Sequence, residues 1–171
     1  MIENERKFVL SGNNLEEKIA ALASSHRIIH QTYIDKKVRI RESYFPVEKY
    51  YIWDLTVKVE VEEKVHEIET EISDEDYEAL SKVGLATLRK IRYVIDGWEI
   101  DFFKHEDKTY FIVAEYEMPE NQEQPENIPN FIQESLIYSV EKNDGRFSSR
   151  KLSDVAYAKK LLRELKAKVT A

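Results

Sequence analysis

Like-charged residues recur along the chain at a spacing of two: Glu3 and Glu5, Arg39 and Arg41, Glu67 and Glu69, Lys90 and Arg92, Glu115 and Glu117. On a strand, residues i and i+2 share a face and lie about 6.6 Å apart. At an effective dielectric of about 20, two like charges there repel by about 2.5 kcal/mol before screening. In open water the cost is small. Enclosed, the pairs need counter-charge. Carboxylate pairs suit a hard divalent cation such as Mg²⁺, Mn²⁺ or Ca²⁺. Arginine and lysine pairs suit a multiply charged anion, and phosphate matches both the guanidinium fork and the ammonium point charge. A polyphosphate–metal complex satisfies both sets.

The elements that must carry these residues read mostly as strands. Period-two alternation runs through "IENERKFVL" (2–10), "IIHQTYIDKKVRIRES" (28–43, with a bend at Asp35–Lys37), "YYIWDLTVKVEVE" (50–62) and "VHEIETEI" (65–72). "LRKIRYVID" (88–96), "WEIDFFK" (98–104) and "YFIVAEYEM" (110–118) complete the set, and Asp96-Gly97 joins two of them as a hairpin turn. Helices are expected over 13–25, with an Asn cap, over 73–84, from a Ser73 cap to a Gly84 stop, and over about 153–169, with a Ser153 cap and a lysine-rich end. The stretch 128–138 reads either way. "PENQEQPENIP" (119–129) reads as a surface loop.

With 171 residues, 42% hydrophobic and 35% charged, the expectation is a single globular domain over 1–171. A net charge of −7 argues against a nucleic-acid partner. There is no Cys, so neither disulfides nor a thiolate metal site. No apolar run is long enough to cross a bilayer, and the acidic start does not resemble a signal peptide, so a cytoplasmic protein off the membrane is expected.

Two enclosures are open on the pattern. A closed barrel with its apolar face outward, under helices, puts the charges in a tunnel. An ordinary barrel or sandwich with an apolar core leaves them in water.

The motif order resembles the CYTH superfamily, the triphosphate tunnel metalloenzymes. Glu3-x-Glu5-x-Lys7 is similar to the family's ExExK strand. It is followed in order by "QTY" (31–33), "VRIR" (38–41), "LTVK" (55–58), "HEIETEI" (66–72), "LRKIRY" (88–93), "IDFF" (100–103) and "VAEYE" (113–117). The resemblance covers nearly the whole chain. It implies an α+β fold, an eight-stranded antiparallel barrel whose tunnel binds triphosphate with Mg²⁺ or Mn²⁺, with helices packed outside. By position it implies Glu3, Glu5, Asp101, Glu115 and Glu117 for the metal. Lys7, Arg39, Arg41, Lys58, Lys90 and Arg92 match the phosphate clamps, and Glu67 and Glu69 the acidic tunnel strand. Tyr33 matches a tyrosine that activates the motif lysine in some members, so Lys7 and Tyr33 stand as the catalytic pair. "VEKNDGRFSSRKLS" (140–153) is similar to a terminal family segment. It keeps Arg146, implied to touch substrate, but has Phe147 for Tyr, Ser149 for Asn and one residue inserted near Gly145.

The activity implied is hydrolysis of a triphosphate, with inorganic tripolyphosphate as the best substrate. Nucleoside triphosphates and thiamine triphosphate stay open. The alternatives are cyclisation of ATP to cyclic AMP and a non-catalytic tunnel that binds nucleotide or polyphosphate. A monomer or homodimer is expected. His26, His30, His66 and His105 lack zinc spacing and read as packing or solvated residues. Trp53 and Trp98 read as core.

Overall fold

The computed structural model describes residues 4–62, 64–142 and 144–169. Its strands are β1 (Glu5–Leu10), β2 (Ser25–Tyr33), β3 (Val38–Phe45), β4 (Tyr50–Val61), β5 (Lys64–Glu71), β6 (Ala86–Ile95), β7 (Trp98–His105), β8 (Lys108–Glu117) and β9 (Leu136–Ser139). Its helices are α1 (Leu15–Leu22), α2 (Asp74–Ser81), α3 (Asn130–Gln133), α4 (Ser149–Leu152) and α5 (Val155–Val169), with a 3-10 turn at Gly145–Phe147. The chain is an α+β fold built on a mostly antiparallel sheet. Hydrogen bonding orders the strands β5-β4-β3-β2-β6-β7-β8-β1-β9, so the order is open, with β5 and β9 as its ends. Nine strands replace the eight expected, because the ambiguous stretch 128–138 divides into α3 and a short β9 that pairs with β1.

Contacts divide the described chain into two compact units, residues 27–90 and residues 4–26 with 91–169. In the first unit, β2 to β5 pair as successive antiparallel neighbours. Ser73 caps α2 by accepting the Asp76 amide. The helix ends at Ser81 rather than at Gly84, whose role is a close approach. A Cβ there would lie 2.1 Å from Thr32 Cγ2. Only glycine lets α2 turn back onto β2 at this point.

The second unit holds the larger apolar core. Phe8, Leu10, Leu15, Ile19, Trp98 and Phe102 are all nearly excluded from solvent. Asp96 (φ 48°) and Gly97 (φ 82°) form the tight turn between β6 and β7, as the Asp-Gly pair requires. Asn14 precedes α1 but caps nothing with its side chain; its φ of 52° places it in the left-handed region. The C-terminal helix expected over about 153–169 begins as α5 at Val155 and is preceded by a separate short helix, α4. Ser148 caps the first, and Asp154, not Ser153, accepts the Tyr157 amide at the start of the second. Helix α5 buries Ala158, Leu161 and Leu165 and packs against β8 and β9.

Candidate functional site

Each unit carries a charged strand face, built by the pairing register. In the first unit Gln31, Arg41, Asp54 and Glu71 form one cross-strand row, and Tyr33, Arg39, Thr56 and Glu69 form the next. Lys58 lies opposite Glu67 beyond them. Directly opposed residues of antiparallel strands project to the same side. All of these side chains therefore share one face.

Much of that face on β2 to β4 is buried, although Glu69 and Glu71 on β5 are exposed. Arg41 and Asp54 are each 9% exposed and Thr56 is fully buried. On the alternate register Tyr51, Val59, Val61 and Ile68 are exposed, Ile68 at 59%. An ordinary half-buried sheet has the reverse arrangement. The charges are paired in part. Arg39 holds Glu67, Lys58 Nζ lies 3.1 Å from the other Glu67 oxygen, and Arg41 Nη2 lies 3.4 Å from Glu69. Thr56 Oγ1 donates to Glu69 at 3.0 Å, and Gln31 Nε2 donates to the Tyr33 hydroxyl at 2.5 Å. Among the described residues, Arg39 Nε and Ser43 Oγ are buried and find no hydrogen-bond partner. Burial, then the Glu69 carboxylate, pushes the Asp54 carboxyl up; Glu71 adds to this, while Arg41 and Arg27 oppose it. Lys90, on β6, is buried in the same unit.

In the second unit Glu5 stands opposite Glu117, and Lys7, Glu115 and Glu99 form a row. Lys7 Nζ lies 2.6 Å from Glu5 and 2.7 Å from Glu115. Arg92 grips Asp101 with both prongs, Nε and Nη2, each at 2.6 Å, and reaches Glu115 at 3.0 Å and Glu99. Asp101 is fully buried. Burial alone lowers the Lys7 pKa, but Glu115 and Glu5 outweigh it and hold the ammonium above its ordinary value. Arg92 is raised in the same way, burial being outweighed first by Asp101. Glu117 accepts the Asn4 amide at 3.2 Å.

Five carboxylates face two cations here, so the set has the hard-oxygen chemistry of a divalent-cation site. Among the described residues, no three His, Asp or Glu side chains converge as metal ligands. Glu3, expected to ligate the metal, lies outside the described residues. The donors fit Mg²⁺ or Mn²⁺ in kind, but Lys7 and Arg92 hold their oxygens, so a cation would compete with those two side chains. Arg146 sits in the 3-10 turn, where Asp144 binds its guanidinium at 2.7 Å and Tyr138 accepts from it at 3.1 Å. That hydrogen bond from Arg146 pulls the Asp144 carboxyl below its usual range.

The first unit therefore contains Tyr33, Arg39, Arg41, Lys58, Glu67, Glu69 and Lys90 of the expected residues. The second contains Glu5, Lys7, Arg92, Asp101, Glu115, Glu117 and Arg146. Asp54, Thr56, Gln31 and Glu99 belong to the same faces and escaped the sequence reading. Each lies in register with an expected residue; Asp54, Thr56 and Gln31 form no like-charged pair of their own, whereas Glu99 stands two residues from Asp101, a spacing that could have found it.

No family model matches the chain, and no curated protein matches it. Among solved structures the chain is similar to the PH1819 protein of Pyrococcus horikoshii OT3, at 21% identity over 95% of this chain and 89% of that one, with a TM-score of 0.48. The PH1012 protein of the same organism matches at 15% identity over 71% and 80%, with a TM-score of 0.45. A conserved hypothetical protein from Pyrococcus furiosus matches at 17% identity over 78% and 83%, with a TM-score of 0.42.

Proposed function

We propose that this chain is a metal-dependent triphosphatase, with inorganic tripolyphosphate as its minimal substrate. The observation that carries the reading is the inverted burial of the first unit. Arg41, Asp54 and Lys90 are buried there, while Tyr51, Val59, Val61 and Ile68 on the alternate register are exposed. Enclosing charge costs several kcal/mol per ion unless partners compensate. Among the described residues, the buried Arg39 Nε and Ser43 Oγ are donors without acceptors, and an anion rich in oxygen supplies them.

In this reading Arg39, Arg41, Lys58 and Lys90 bind the phosphate oxygens and fix the chain for in-line attack. Glu5, Asp101, Glu115 and Glu117 of the second unit would hold Mg²⁺ or Mn²⁺, a hard cation that suits a carboxylate set. Lys7, kept protonated by Glu115 and Glu5, serves as a cation rather than a base. Water attacks the terminal phosphorus, the bond to the bridging oxygen breaks, and diphosphate leaves with that electron pair. The tunnel implied by the CYTH resemblance belongs to this proposal.

Incubation of the protein with tripolyphosphate or ATP and Mg²⁺, followed by chromatography of the products, tests it. Orthophosphate with a diphosphate is the expected result. Cyclic AMP with pyrophosphate, or unchanged substrate, overturns it.

A further inference from the structure

Asp54 is a buried carboxylate of the first unit's face to which the phosphate clamp gives no role. It is 9% exposed, on β4, between Arg41 on one side of its row and Glu71 on the other. Arg41 stands directly opposite yet gives its Nη2 to Glu69. Among the described residues no side chain or amide donates to the Asp54 carboxylate, and it forms no ion pair. A largely buried carboxylate with open acceptor capacity can take a hydrogen bond from a water at its exposed oxygens. The rest of its row and the row beside it hold the phosphate-binding cations. A water placed among phosphates held by Arg39 and Arg41 lies on the same side of the sheet as this carboxylate.

We propose that Asp54 is the general base, taking a proton from the water that attacks the terminal phosphorus. This rests on the triphosphatase reading above. The balance closes without a co-reactant. The water oxygen bonds to phosphorus, its proton goes to the Asp54 carboxylate, and the bridging P–O bond breaks. Diphosphate departs as the oxyanion, and Asp54 then returns its proton to solvent. The groups facing Asp54 are Arg41, Arg27, Glu69 and Glu71. Burial and the two glutamates raise its proton affinity, which suits a base better than an ordinary surface aspartate.

The test is steady-state hydrolysis of tripolyphosphate with Mg²⁺ as a function of pH, for the wild type, Asp54→Asn and Asp54→Glu, with titration calorimetry of tripolyphosphate on each. Asp54→Asn is expected to bind tripolyphosphate as the wild type does and to lose kcat by about 100-fold. The acid limb of its kcat profile should disappear. Asp54→Glu should retain that limb at a displaced pH. An Asp54→Asn enzyme that keeps its kcat, or loses it while the acid limb stays in place, overturns the assignment and leaves the triphosphatase reading intact. A wild type that neither binds nor hydrolyses tripolyphosphate overturns both.

Discussion

Lys7 and Glu115 stand directly opposite each other on β1 and β8, and Lys7 Nζ lies 2.7 Å from Glu115 Oε1. Lys7 also reaches Glu5, while the other oxygen of Glu115 reaches Arg92. The acidic face of the second unit is therefore an alternating lattice of charge in which each cation separates carboxylates. Lys7 and Arg92 thereby offset part of the repulsion between directly opposed carboxylates such as Glu99 and Glu115.

Replacing Lys7 with Met leaves Glu5 and Glu115 facing each other without the ammonium. Both partners are largely buried, so stability should fall by about 3 kcal/mol. The sign with pH follows from the raised Lys7 pKa. Its stabilising contribution is complete below the ordinary lysine value of 10.5 and is lost only as pH rises through the higher folded value. The difference in unfolding free energy between Lys7→Met and wild type should hence stay level from neutrality to about pH 10. Urea unfolding at several pH values measures it.

Removal of divalent cations should abolish tripolyphosphate hydrolysis, and Mg²⁺ or Mn²⁺ should restore it. Ca²⁺, which tolerates irregular geometry, should compete without supporting turnover. Full activity after exhaustive dialysis against EDTA contradicts the metal requirement.

Asp54→Asn should raise the melting temperature of the ligand-free protein at neutral pH, since an ionised, nearly buried carboxylate is removed. The Asp54 pKa is higher folded than unfolded. The penalty therefore applies in full above the folded value and vanishes as pH falls towards the ordinary 3.8. The gain in melting temperature should shrink in step. Calorimetric melts across that acid range give the comparison, and a gain that persists unchanged contradicts the burial argument. Glu69→Gln removes a neighbouring negative charge, so it should move the acid limb of the kcat profile to lower pH.

The strands were legible because period two survives in nearly every one, and the Asp-Gly turn between β6 and β7 is specified by two residues. The burial of one face was not. Alternation in β4 shows that Asp54, Thr56 and Lys58 share a side, but which side is enclosed depends on strands and helices elsewhere in the chain. Asp54 was missed for a related reason: with Ile52 and Thr56 two residues to either side, it gives no signal until the register sets it beside Arg41. Glu99 was legible, since it stands two residues from Asp101. The start of the C-terminal helix was ambiguous by one residue, because Ser153 and Asp154 are both good N-cap residues and the structure uses Asp154.

Glu115 and Glu117 look equivalent in sequence, and crowding of acids suggests that neutralising both would relieve repulsion. The structure separates them. Glu115 binds Lys7 with one oxygen and Arg92 with the other, both partners being largely buried. Glu117 is exposed, lies opposite Glu5 and accepts the Asn4 amide. Glu115→Gln should hence lower the melting temperature of the ligand-free protein, because two buried cations each lose a carboxylate. Glu117→Gln should leave it within about 0.5 kcal/mol of the wild type in stability. Both substitutions should reduce hydrolysis if both residues serve the cation, and raising the Mg²⁺ concentration should recover part of the loss in Glu117→Gln, whose fold is intact. Melting curves and Mg²⁺ titrations of activity on the same preparations distinguish the roles. A Glu117→Gln enzyme with unchanged Mg²⁺ dependence removes that residue from the metal set, and a Glu115→Gln protein as stable as the wild type contradicts the ion-pair lattice itself.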